Sequence, residues 1–139
     1  MSRAIAAVLT ACACARGVPA PAVPTSVLEN EQARQVVVEA LAAEAEQRDA
    51  DSLYVIGATA VVEGRSRSLP PRYAGVRPGG RVQVTAVTLE LTPYLAWATA
   101  EYRWIAATGG AVIPGRATFV LERMAGSWRI KHAHSSSPR

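Results

Sequence analysis

From residue 81 to residue 136 the chain is written almost entirely in long stretches rich in valine, threonine and aromatic residues, and this run decides what it can fold into. RVQVTAVTLELT (81–92), LAWATAEYRWIAAT (95–108), RATFVLERM (116–124) and SWRIKHAHSS (127–136) each read as a strand, because β-branched and aromatic side chains pack well on a pleated surface. Thr92-Pro93-Tyr94 and Gly109-Gly110 mark turns between them, and Ala125-Gly126 reads as a tight hairpin turn. A shorter strand, ATAVVEG (58–64), precedes them, and RSRSLPPRYAGVRPGG (65–80) reads as a loop with Pro70, Pro71 and Pro78-Gly79-Gly80 as breakers. The expectation is an antiparallel meander of four to five strands.

One long helix comes before the strands. In SVLENEQARQVVVEALAAEAEQ (26–47), apolar residues recur at Ala33, Val36, Val37, Ala40, Leu41 and then Ala43 or Glu44, the stripe of an amphipathic helix. Ser26 with Glu29 three positions on has capping-box spacing. Polar residues from Gln47 to Asp51 break the helix, and Asp51-Ser52-Leu53-Tyr54 reads as a short second helix that stops near Gly57. The apolar stripe and the inner face of a sheet must cover each other, so the fold class is α+β, with a curved antiparallel sheet wrapped around the long N-terminal helix as a cone open at one end. A chain of 139 residues supports one core of this kind, assigned to residues 26–137.

Residues 1–25 are set apart as an address and a Pro-rich linker. MSRAIAAVLTACACARG opens with Arg3, continues through a short apolar run and reaches small residues, the order of a secretory signal. Leu9-Thr10-Ala11-Cys12 resembles the bacterial lipobox, which makes Cys12 a lipidation candidate and implies an exported protein, periplasmic or anchored to a membrane by its lipid; without export the location is cytoplasmic. The apolar run is too short to span a bilayer. Cys12 and Cys14 both lie in this segment, so the folded part has no thiol for a disulfide or a cysteine-based zinc site. The formal charge of +4 comes from scattered arginines and the single Lys131, not from a basic run, and no nucleic-acid module is present, so nucleic acid is not expected as a partner.

The order of elements, together with Asp51 and Leu53, Gly64-Arg65, Gly115-Arg116-Ala117-Thr118 and the closing Trp128-x-Ile130-x-His132-x-His134-Ser135-Ser136, resembles the cone-shaped superfamily named after nuclear transport factor two. Within it the chain is similar to the SnoaL-like proteins and to the association (hub) domain of the calmodulin-dependent protein kinase. The resemblance covers roughly residues 27–137. It implies a cone lined for a small molecule and a homodimer formed through the outer sheet face. Ketosteroid isomerase-like members place a tyrosine on the first helix, but the helix here has no tyrosine, histidine or aspartate, which disfavours that reaction. Where the kinase hub has a cone-lining arginine after the second histidine, this chain has Ser135.

Strict alternation in the last strand puts Trp128, Ile130, His132 and His134 on one face and Arg129, Lys131 and Ala133 on the other. Trp128 and Ile130 point that face inward, so both histidines are expected in the cone or at its rim. They stand there as acid/base or hydrogen-bonding groups, as structural residues, or as metal ligands. A metal needs a third ligand, and Glu63, Glu90, Glu101 and Glu122 are equally available, so no metal and no cofactor is assigned. In the other dense cluster, Glu101 and Arg103 share one face and Tyr102 and Trp104 the opposite one, so either the charges or the aromatics line the cone. Tyr54 and Tyr73 are candidates for the mouth, and Thr118 joins Glu101, Arg103, Trp104 and the histidines as a pocket candidate. Three functions fit: a binding module for a small hydrophobic or aromatic molecule, a dimeric interaction domain without catalysis, or an isomerase- or cyclase-type enzyme with a histidine base.

Overall fold

A computed structural model describes residues 25–70 and 72–138; the signal, Cys12 and linker assignments therefore lie outside the described residues. Helix α1 spans Thr25–Glu46, and one turn of 3-10 helix, Asp51–Leu53, leads into β1 (Tyr54–Val62). The remaining strands are β2 (Arg65–Arg67), β3 (Gly80–Leu91), β4 (Leu95–Ala106), β5 (Val112–Met124) and β6 (Ser127–Ser136). They form one curved, unclosed sheet in the order β2-β1-β6-β5-β4-β3, with α1 against its inner face on β3, β4 and β6. The α+β cone expected from the sequence is the fold.

Three local features differ from the expectation. β1 starts at Tyr54 and runs through Gly57, whose φ of 78° falls at the irregularity in its pairing with β6 between Tyr54 and Thr59. β1 runs parallel to β6, so the sheet is not a pure meander. The segment Arg65–Arg67 pairs with β1 across a turn in which Glu63 (φ 50°) and Gly64 (φ 75°) are both left-handed, the geometry that matches the twist of a tight hairpin.

The core is small side chain against small side chain where the helix crosses the sheet. Ala33, Val37, Ala40 and Leu41 of α1 are buried with Ala96, Ala98 and Ala100 of β4, Ala117 of β5 and Ala133 of β6. Short side chains at a contact let the two backbones approach closely. Phe119 of β5 is level with Ala98, and towards the open end the inner face of β4 switches to large groups, Tyr102 and Trp104. Gly115 pairs with Tyr102 across β4 and β5, and any Cβ at 115 would overlap the Tyr102 ring, so that position is closed to other residues. At the opposite end Glu29 pairs with Arg123 at 2.6 Å, tying the first turns of α1 to β5.

A bulge in β6 resets the alternation of the last strand. Ile130 pairs with Leu121 and His132 pairs with Val120, so Lys131 is an extra residue without a partner on β5. Trp128 and Ile130 are buried before it, and Ala133 and Ser135 are buried after it. His132 and His134 therefore face the outside of the sheet. This corrects the expectation that they enter the cone: one unpaired residue is enough to exchange the faces.

Candidate functional site

The inside of the cone is occupied by the chain itself. Residues 72–77 cross the open end as a strap, and Tyr73, Ala74 and Val76 are each at most 2% exposed. Tyr73 packs on Phe119 with ring centroids 5.5 Å apart. The strap is held by hydrogen bonds from three directions. Tyr102 Oη donates to Ala74 O at 2.7 Å, Trp104 Nε1 donates to Arg77 O at 2.7 Å, and Ala74 N–H donates to Ser135 Oγ at 2.9 Å. The Tyr54 and Tyr73 hydroxyls meet at 2.6 Å, and the Arg72 N–H donates to a Glu44 carboxylate oxygen on α1. Buried backbone groups without partners are expensive, so each of these contacts fixes the strap as well as filling the cone.

One hollow among the described residues lies at the mouth. A cleft of about 550 Å³ is bounded by the end of α1, the 47–51 connection and the strap, with Ala43, Leu69, Pro70, Val76 and Pro78 supplying apolar wall. Its size is that of a small-molecule site. Charged groups line the rest: Glu44, Arg48, Asp49, Asp51, Arg72 and Arg77. Arg48 reaches Glu46 at 2.5 Å and Glu39 at 2.6 Å, and Arg72 reaches Asp51 at 3.2 Å while its guanidinium lies 4.6 Å from the centre of the Tyr54 ring. Arg77 is the one cation of the cleft with no carboxylate partner among the described residues.

Burial sets the proton chemistry here. It pushes the Glu44 carboxyl above its ordinary value, against the Arg72 N–H bond and the Arg72 charge, which pull it down. Burial also raises the Tyr54 hydroxyl, although the bond to Tyr73 opposes it. It raises the Tyr73 hydroxyl well above its ordinary value, with the Tyr54 pairing adding to the rise. Tyr102 is pushed up by burial, with Glu63 adding to it. These phenols are neutral donors and acceptors that hold structure. For Arg72, burial pulls down and Asp51 and Tyr54 pull up more strongly, so it remains a cation.

The residues singled out from sequence separate into two groups. Tyr54, Tyr73 and Trp104 belong to the cone interior, Tyr73 as part of the strap itself, and none of the three lines the cleft. Glu101, Arg103, Thr118, His132 and His134 lie on the outer face of the sheet, away from any pocket in the cone. Of the two arrangements open for the 101–104 cluster, the structure has the aromatics inside and the charges outside, and Glu101 pairs with Arg116 at 2.6 Å rather than with Arg103. A histidine base in the cone is excluded by the same geometry: His132 Nδ1 meets Thr59 Oγ1 at 2.7 Å on the outer surface. Glu44, Arg72 and Arg77 were not singled out. Glu44 did carry a signal, since it is a charged residue at a position where the helical stripe calls for an apolar one.

A curved sheet closed on one long helix, with its cleft at the open end, defines the cone-shaped class related to nuclear transport factor two. The sequence pattern of the SnoaL-like domain matches residues 33–139, and the chain belongs to that family. Solved structures of the same fold include a ketosteroid isomerase-like protein from Shewanella frigidimarina NCIMB 400, with 18% identity and a TM-score of 0.60, covering 76% of this chain and 94% of that one. A scytalone dehydratase-like protein from Novosphingobium aromaticivorans DSM 12444 aligns with 9% identity and a TM-score of 0.61 over 83% of this chain and 87% of that one. A protein resembling the calcium/calmodulin dependent protein kinase II association domain, from Xanthomonas campestris, aligns with 17% identity and a TM-score of 0.52 over 88% and 92% of the two chains. At these identities the likeness is one of fold. No curated protein matches the sequence.

Proposed function

We propose that this SnoaL-like domain is a binding module for a small aromatic or hydrophobic molecule that carries a carboxylate, held in the mouth cleft rather than deep in the cone. The observation that carries the reading is the combination of about 550 Å³ of half-apolar space with Arg77, a cation without a carboxylate partner among the described residues. An apolar body against Leu69, Pro70 and Val76 gains burial, and the anionic group gains a charge-assisted bond to Arg77. Glu44, desolvated beside the strap, disfavours a second negative charge at the other end of the ligand. Thermal unfolding with 2-naphthoate and with the neutral 2-naphthalenemethanol tests this. Naphthoate should raise the melting temperature with concentration and the alcohol less so. Arg77→Ala, at an exposed position, should abolish the difference. If neither compound shifts the melting temperature, or if Arg77→Ala leaves the preference intact, the reading is wrong.

A second reading, pairing of two copies through the outer sheet face, is favoured by an uncharged band across that face. Val61, His134, Thr118, Thr99 and Thr88 are successive cross-strand partners, and Trp97 beside them is 43% exposed. Sedimentation of the full chain and of Trp97→Glu tests it; a monomer at all concentrations rejects it. Export with lipidation at Cys12 completes the proposal and rests on Leu9-Thr10-Ala11-Cys12 alone. The mass of the protein recovered from a bacterial membrane fraction decides it.

A further inference from the structure

We propose that His132 and His134 form a two-imidazole chelating site for a divalent transition-metal ion of the copper, nickel or zinc type on the outer face of the sheet. Placing them on that face is the work of the Lys131 bulge, after which the two imidazoles stand at positions i and i+2 of one strand. Side chains so related project in the same direction from points about 6.6 Å apart, close enough for two imidazoles to converge on one ion with metal–nitrogen bonds of about 2.0–2.1 Å.

Three further observations favour chelation. First, Thr59 Oγ1 on β1 lies 2.7 Å from His132 Nδ1. With Nδ1–H donating to that oxygen, the ring is fixed in orientation and Nε2 presents its lone pair outward, the outer-sphere arrangement that metal-binding histidines use. Second, β6 lies between β1 and β5 in the sheet, so the two ligands are carried by a strand paired on both sides and are held in place before an ion arrives. Third, the cross-strand neighbours are Thr59 and Val120 for His132, and Val61 and Thr118 for His134, none of which is a cation. Two nearby cations are already paired, Lys131 with Glu122 at 3.0 Å and Arg116 with Glu101 at 2.6 Å.

Imidazole nitrogen selects copper, nickel and zinc over magnesium and calcium, and two protein ligands leave the other coordination positions to water or to a second copy of the chain. Such an ion is exchangeable rather than structural. Nothing in this inference depends on the cleft reading, because the site is on the opposite face of the sheet.

The test uses the 139-residue chain with Cys12→Ser and Cys14→Ser, which removes both thiols as competing ligands. Cu²⁺, Ni²⁺, Zn²⁺ and Mg²⁺ are titrated separately by calorimetry, with fluorescence of Trp97 as a second readout, since Trp97 is only two strands from His132 on the same face. Cu²⁺ should bind most tightly and Mg²⁺ not at all. Removing either imidazole should weaken binding by more than the roughly tenfold expected from Thr59→Val, which removes only the orienting oxygen. One ion per chain, or one shared by two chains, both agree with the proposal provided the histidines are required. Undiminished binding in the folded His132→Ala/His134→Ala double variant, or no binding of any of the three transition metals, overturns it.

Discussion

The two faces of the sheet are made from the same six strands and follow opposite rules. The inner face alternates alanine with a few large aromatics, is covered by α1 and the strap, and satisfies Tyr102, Trp104 and Ser135 internally, while Trp128 Nε1 is buried without a partner among the described residues. The outer face carries threonines, two histidines and the surface ion pairs Arg116–Glu101 and Lys131–Glu122. What separates them is not composition but parity along each strand, and parity is reset at Thr85 in β3 and at Lys131 in β6. A face assignment is therefore only as good as the register from which it is counted.

The most damaging way to break this division is to change parity in β6 after the bulge. Deleting Ala133 leaves no register that keeps Trp128, Ile130 and Ser135 inside without bringing a histidine into the core. The loss should rival the roughly 5–15 kcal/mol by which a domain of this kind is stable, giving a chain without a cooperative urea transition. Deleting Lys131 is the control. It removes the unpaired residue, restores strict alternation and leaves every inner residue inside, so a cooperative transition should survive. Equal damage from both deletions would mean that parity is not what divides the faces.

Next in size is Phe119→Ala. This side chain is fully buried against Tyr73, and its removal should cost about 3–5 kcal/mol, read from the urea midpoint, because strap and sheet cannot close on the space it leaves. Ser135→Ala should cost less, about 1–3 kcal/mol, since it strands the Ala74 N–H in the buried strap without an acceptor. A near-neutral Ser135→Ala would show that the strap finds another partner for that amide.

How much of this was readable beforehand follows from the range of each interaction. The helix was legible because Ala33, Val37, Ala40 and Leu41 repeat at its own period, and the long strands were legible from their Val- and Thr-rich runs. The turn at Ala125-Gly126 was legible, and both residues are left-handed there (φ 48° and 81°). The strap was not, because its meaning depends on partners far along the chain: Ala74 meets Tyr102 and Ser135, 28 and 61 positions away. The candidate site suffered from both problems. His132 and His134 follow a bulge that has no mark in the sequence, and Arg72 and Arg77 reach the cleft only through the strap's passage over the mouth. Glu44 was the exception, visible as a charge on an apolar stripe.

That carboxyl gives the next prediction. Burial raises Glu44 above its ordinary value of 4.5, so in the folded cone it keeps a proton that the unfolded chain has already released. The folded state then binds more protons than the unfolded one, and stability from this group is full below that pH and falls as pH rises through the raised folded value. Glu44→Gln retains an oxygen for the Arg72 N–H and has no proton to lose. Urea midpoints measured in steps upward from pH 4.5 should decline in the parent and stay level, as far as this group is concerned, in the variant. Parallel profiles would mean that the carboxyl is solvated at the mouth and that the cleft is wetter than its lining implies.

The smallest effect belongs to the outer face and is the sharpest contrast with Ser135. Arg116 and Glu101 meet at 2.6 Å, a closer approach than the Ala74–Ser135 bond, yet their side chains are 65% and 54% exposed. Water already solvates both ions when they separate, and salt screens what attraction remains. Arg116→Ala should therefore cost about 0.5 kcal/mol or less, and less again at high salt. Ser135→Ala, which breaks a longer bond between uncharged groups, should cost several times more, because the amide it strands cannot reach water. If Arg116→Ala instead proves the more damaging of the two in dilute protein at high salt, the outer face is not a solvated surface, and the pair is buried against something that the isolated chain does not show.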